Sequence, residues 1–279
     1  MIANSPPLAG TCAACALFKE QSCFVQMSSQ TRALEKMRRV QPLREGQVLI
    51  SEGQKSRLVG LVIEGVLRVS QTTRDGRQQI LGLQLPSSFF GHPFAPTPAY
   101  GLEAASDSRV CLFDRKDFER LIAEDFQLSE GLLLATMNEL QDLRELASTL
   151  GLSRTSERIA RFLCLLHSGE TIGSYPAITV PVGRRDLASL LGTTPETISR
   201  FVQDMVRKSI LRVRRTNAFI VLDSLRFEEL AGRSLQQSVD SKLWIRSEIK
   251  SSIARRLSLA TLNNPFNSSL SSRPVVTRA

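Results

Sequence analysis

The chain has five cysteines, unevenly spread: Cys12, Cys15 and Cys23 crowd the N-terminus, while Cys111 and Cys164 stand alone. Thiolates are soft ligands, and four of them satisfy either a tetrahedral zinc ion or an iron–sulfur cluster. Cys12-x2-Cys15-x7-Cys23 supplies three sulfurs and would need one distant partner. Structural zinc usually takes two short Cys-x2-Cys hooks, and this chain has one. On spacing alone an iron–sulfur centre, zinc and unligated thiols all stay open, in that order of preference. Cys164 lies in the apolar run Arg161-Phe162-Leu163-Cys164-Leu165-Leu166 and reads as a small buried hydrophobe.

A second constellation starts at Arg184. Leu187, Leu190 and Leu191 form one apolar helix face, Gly192 suits the left-handed residue that closes that helix, and Thr194-Pro195 suits the cap and first turn of another. In the second helix Ile198, Phe201, Val202 and Met205 recur at helical spacing, which leaves Glu196, Ser199, Arg200 and Gln203 on the outer face. This pattern is a helix-turn-helix with a polar reading edge. Arg200 can donate two hydrogen bonds to a guanine, Glu196 can accept from a cytosine, and Ser199 is permissive. Leu211–Arg215 and Phe219–Leu222 flank Thr216-Asn217 as a hairpin wing, its alternating arginines suited to phosphate.

Charge agrees with that placement. Of a formal net charge of +9, residues 184–215 hold eight basic against three acidic side chains, and residues 232–279 hold eight against two. The rest of the chain is net negative, so the positive charge sits in two blocks, as a polyanion-binding surface requires. No apolar run reaches the ~20 residues of a membrane span, and the N-terminus lacks a signal-peptide pattern. These features point to the cytoplasm, where cysteines stay reduced. With no nucleotide-binding glycine motif and no Ser/His/Asp set, nothing points to an enzyme. His92 and His167 are the only histidines, and His92 reads as a turn residue rather than a haem ligand.

The elements that must position these groups are also legible. Between Gln41 and Arg115 short apolar runs alternate with turn residues. They include Gln47–Ile50, Leu58–Ile63, Val66–Thr72 and Gln78–Leu83, the last two joined at Asp75-Gly76 as a hairpin. Strands at this spacing predict a small antiparallel barrel or roll. A long helical run follows up to Leu150, in which Leu133, Leu140, Leu143, Ala147 and Leu150 make a heptad seam that predicts helix-to-helix dimerisation. The expected division is a cysteine-rich arm over 1–24, a β-roll over 25–127, a dimerisation helix over 128–152, a winged helix-turn-helix over 153–231 and a basic, disordered tail over 232–279. The fold class is α+β.

Taken together, the roll, the long helix and Gly192-Thr193-Thr194-Pro195-Glu196-Thr197-Ile198-Ser199-Arg200 resemble the Crp/Fnr superfamily of transcription regulators, from about Cys12 to Leu230. The Glu-x-x-Ser-Arg arrangement of Glu196, Ser199 and Arg200 is similar to the FNR/FixK branch; Pro195 stands where the catabolite-activator branch has an additional arginine. The resemblance implies a homodimer on double-stranded DNA, with palindromes like TTGAT-N4-ATCAA read by two helices about one turn, ~34 Å, apart. It also implies a [4Fe–4S] cluster on Cys12, Cys15, Cys23 and Cys111, lost on exposure to oxygen. The exposed tip Arg74-Asp75-Gly76 resembles a patch that related activators use to touch RNA polymerase. No cyclic nucleotide is expected, because Phe89-Phe90-Gly91-His92 and Leu102-Glu103-Ala104-Ala105 offer no cation for a phosphate diester. A cluster-free regulator of the same superfamily is the alternative reading.

Overall fold

A computed structural model describes residues 12–19, 23–152 and 154–236. Most of the expected tail therefore lies outside the described residues. The arm carries a short helix α1 (Ala16–Lys19), a 3-10 turn Phe24–Met27 and helix α2 (Thr31–Met37). Eight strands follow: β1 (Arg39–Leu43), β2 (Val48–Ile50), β3 (Leu58–Glu64), β4 (Leu67–Thr72), β5 (Gln78–Gln84), β6 (Phe89–Phe90), β7 (Gly101–Ala104) and β8 (Ser108–Asp114). They form two four-stranded antiparallel sheets, ordered β1-β8-β3-β6 and β2-β7-β4-β5. Leu43, Ile50, Val62, Leu67, Leu102, Val110 and Leu112 fill the space between the sheets. This is the expected roll, and β4 and β5 meet at the Asp75-Gly76 hairpin.

The first sheet is buried on both faces, which explains why β3 and β8 read as nearly continuous apolar runs rather than alternating ones. Successive side chains of a strand point to opposite faces. Val110 and Leu112 of β8 enter the inter-sheet core, so Cys111 and Phe113 face the other way. There they meet the arm and three covering helices: α2, α3 (Arg115–Glu124) and the long α4 (Phe126–Leu150). Helix α4 begins at Phe126, ahead of the expected division at 128, and Asp125 caps it by accepting from the amides of Gln127 and Leu128.

Helix α5 (Thr155–Leu166) opens the C-terminal domain, with the pair β9 (Thr171–Ile172) and β10 (Tyr175–Thr179) after it. The helices α6 (Arg184–Leu190) and α7 (Pro195–Arg207), the hairpin β11 (Leu211–Arg215) and β12 (Ala218–Val221), and helix α8 (Ser224–Ala231) complete a winged helix-turn-helix. Its core holds Ile159, Phe162, Leu187, Ile198, Phe201, Phe219 and Phe227, and also takes in Val66, Ile80 and Ala105 from the roll. Among the described residues no helix is long and apolar enough to cross a membrane.

Candidate functional site

Cys12, Cys15 and Cys23, grouped by their spacing, and Cys111, named by the family resemblance, line one small cavity, although they come from separate stretches of chain. Cys12 and Cys15 close a single turn, with the Cys15 amide donating to the Cys12 carbonyl at 2.9 Å. Cys23 leads into the 3-10 turn, and Cys111 projects from β8, where it pairs in register with Val40 of β1. Leu17, Val25, Leu61 and Phe113 wall the cavity, and Arg38 is its charged member. The volume is about 20 Å³, room for little more than one water. Among the described residues no three Cys, His, Asp or Glu side chains stand in a ready-made metal-holding arrangement.

Burial raises the thiol pKa values here. It pushes Cys12 and Cys23 up and Cys111 to about 12, because a buried thiolate loses its hydration. Arg38 lines the same cavity and acts in the opposite sense on Cys12 and Cys111, its positive charge favouring the thiolate. Glu35, one turn earlier, accepts from the Cys12 amide at 2.6 Å. Sequence reasoning missed both Glu35 and Arg38, since local spacing carries no sign that the end of α2 faces the cysteines. Cys164 is fully buried in the C-terminal core, as its apolar context predicts.

The cavity is one short turn away from the long helix. Phe24, Val25 and Met27, directly after Cys23, are buried against α4. Gly131 makes that approach possible: a Cβ there would lie 3.1 Å from both the Met27 sulfur and the Phe24 carbonyl oxygen. The Asp125 carboxylate fastens the same junction. Its Oδ2 accepts from the hydroxyl of Ser28 at 2.6 Å and from the amide of Ser29 at 2.8 Å. Further along α4, Leu133, Leu140, Leu143, Ala147 and Leu150 are all exposed, as a pairing seam requires. Met137 is also 58% exposed on the same helix, a position the leucine heptad does not include.

In the reading head the expected geometry holds. Gly192 adopts φ +61°, a left-handed conformation open to glycine at little cost. The Thr194 hydroxyl accepts from the Thr197 amide at 3.3 Å, and Pro195 begins α7. Ile198, Phe201, Val202 and Met205 are buried, while Glu196, Arg200 and Gln203 are exposed. Ser199 donates its hydroxyl back to the Pro195 carbonyl at 2.9 Å, so toward a base it can act only as an acceptor unless it rotates. Arg184, one of the eight basic residues of this block, packs over the Phe219 ring and donates to the Thr216 carbonyl, tying α6 to the wing. Arg212, Arg214 and Arg215 are exposed on the wing strand.

Arg68 was not anticipated. From β4 it reaches Glu103 on β7 and makes two contacts, at 3.0 and 3.1 Å, to the Asp186 carboxylate in α6. The segment around Glu103 thus has a cation beside it after all, supplied across the sheet and already engaged by two acids. The tip Arg74-Asp75-Gly76 is exposed at the end of its hairpin, with the Asp75 carboxylate held below its ordinary value chiefly by donation from Thr73 and Arg77.

Residues 40–125 match the cyclic nucleotide-binding domain family, and residues 157–230 match the Crp-like helix-turn-helix domain family. The chain is 32% identical to the transcriptional activator protein FnrL of Cereibacter sphaeroides, over 81% of this chain and 94% of that protein. It is 29% identical to the nitrogen fixation regulation protein FixK of Bradyrhizobium diazoefficiens, over 79% and 93%. The solved structure of FixK2 from Bradyrhizobium japonicum superposes with a TM-score of 0.63 at 26% identity, covering 69% of this chain and 96% of that one.

Proposed function

Because the chain belongs to the Crp/Fnr family of DNA-binding transcription regulators, on its FNR/FixK branch, and is not an enzyme, we propose that it is an oxygen-responsive activator. In this reading a cytoplasmic homodimer, holding a [4Fe–4S] cluster at low oxygen, binds palindromes of the TTGAT-N4-ATCAA kind through Glu196, Ser199 and Arg200, with Thr194 and Gln203 flanking them. The observation that carries it is the gathering of Cys12, Cys15, Cys23 and Cys111 around one cavity.

The donor set fits such a group: four thiols, a guanidinium nearby, and no histidine or carboxylate in the cavity wall. Cys12, Cys15, Cys23 and Cys111 would hold it. When bound, the cluster supplies an oxygen-labile tie between arm and roll. The cavity is small and burial disfavours the thiolates of Cys12, Cys23 and Cys111, so loading must rearrange the cavity lining and release protons. The Phe24–Met27 turn lies between Cys23 and Gly131, so a displaced arm moves the packing surface of α4. Helix α4 carries the pairing seam, and a dimer that presents two α7 helices binds a palindrome far better than one copy does. The hairpin tip Arg74-Asp75-Gly76 is the proposed contact with RNA polymerase.

Anaerobic purification followed by assay of iron and acid-labile sulfide tests the cluster. The native chain should be brown, and single serine replacements at the four cysteines should each lower the iron content. Sedimentation before and after air exposure locates the switch: conversion to monomer assigns it to the seam, and an unchanged dimer assigns it to helix geometry. The small volume of the cavity favours a second reading, a cluster-free regulator of the same family. A colourless anaerobic protein without iron would select that reading, and bound zinc without iron would select a zinc-stabilised one.

A further inference from the structure

We propose that Arg38 is a positioning residue that supplies the counter-charge of the four-sulfur site, an inference that rests on the thiol-ligand reading above. A divalent metal, or a cluster core of equal charge, held by four thiolates leaves the site net negative inside an apolar wall. Leu17, Val25, Leu61 and Phe113 offer no compensation, and Arg38 is the only cation lining the cavity among the described residues. Uncompensated charge in such a place is strongly disfavoured. Arg38 lines the same small cavity as Cys12 of the arm and Cys111 of the sheet, so its charge acts on ligands from both.

The local fold holds this side chain in place. Arg38 ends α2, its amide donating to the Leu34 carbonyl, and the chain runs on into β1, where Val40 pairs with Cys111. Glu35 on the same helix binds the Cys12 amide. Arg39 next door is exposed and does not line the cavity. A substitution there removes the same charge from the protein without removing it from the site.

The test uses the full-length, reduced, metal-free chain under anaerobic conditions, titrated with Co2+ while the thiolate-to-metal charge-transfer absorption is read. Arg38→Gln, which keeps length and polarity but not charge, should weaken Co2+ binding by roughly 10- to 100-fold. Arg38→Lys should restore most of it, and Arg39→Gln should stay within about twofold of the native chain, well below that 10- to 100-fold range. Equal loss in Arg38→Gln and Arg38→Lys would overturn the counter-charge, and so would native-like binding by Arg38→Gln; the four-sulfur site would stand in either case. Absence of charge-transfer absorption in the native chain would defeat both readings together. Matching melting curves of the metal-free variants would show that altered Co2+ binding does not arise from a damaged fold.

Discussion

Replacing Asp125 with alanine removes a carboxylate that serves two structures at once. Its Oδ1 caps α4 through the amides of Gln127 and Leu128, and its Oδ2 accepts from Ser28, Ser29 and Gln30 in the arm. Loss of the cap costs about 1 kcal/mol, and leaving the buried Ser28 hydroxyl and its neighbours without an acceptor costs about 1–3 kcal/mol more. A total near 3 kcal/mol should lower the melting temperature by roughly 6–12 °C in a chain of this size. Urea unfolding followed by circular dichroism measures it directly, and Asp125→Asn, which retains one acceptor oxygen, should lose about half as much. The pH dependence adds a second check. Burial alone would raise the Asp125 carboxyl above its ordinary 3.8, but donation from Ser28, Leu128, Ser29 and Gln30 outweighs burial and holds it lower. Its stabilisation is therefore complete above about pH 4 and fades as pH falls through the folded value. The gap between native and Asp125→Ala chains must shrink in acid. A loss under about 1 kcal/mol at neutral pH, or a gap that does not vary with pH, would refute the assignment of these bonds.

Arg200→Ala should cost about 1–3 kcal/mol of discrimination at its guanine and relax specificity at that position alone, as anisotropy titrations of altered half-sites would show. Arg214→Ala should instead weaken every site alike and reduce the salt slope by about one. Leu140→Glu places a charge in the exposed seam of α4 and should shift the chain toward monomer in sedimentation, by at least about tenfold in the dissociation constant. Asp75→Ala should lower transcription from a target promoter and leave DNA affinity unchanged; loss of both would reject the hairpin tip as a polymerase contact.

The parts of this molecule that were readable in advance are those governed by neighbours in the chain. The glycine at 192, the threonine cap at 194, the proline at 195 and the apolar face from Ile198 to Met205 form one local grammar, and the folded chain follows it. Asp75-Gly76 marked its hairpin for the same reason. The misses at the cysteine cavity and between the domains are long-range. Nothing near Arg38 announces four sulfurs, because the contact depends on which face of β8 carries Cys111. Arg68 and Asp186 are 118 residues apart, and only the docking of one domain on the other joins them. Met137 escaped because the leucine heptad already accounted for its helix, although the exposed face is wider than that stripe.

Arg68 has a consequence for anyone who would recombine this protein with a relative. A single guanidinium completes the charge balance of an acid in the sensory roll and another in the first helix of the DNA-binding unit, and Val66 and Ile80 share that unit's core. The two halves are thus not interchangeable cassettes. A chimaera that joins this roll to a foreign reading head without an acid at the place of Asp186 would inherit a half-satisfied cation at its junction, and one that joins this reading head to a foreign roll would strand the acid instead.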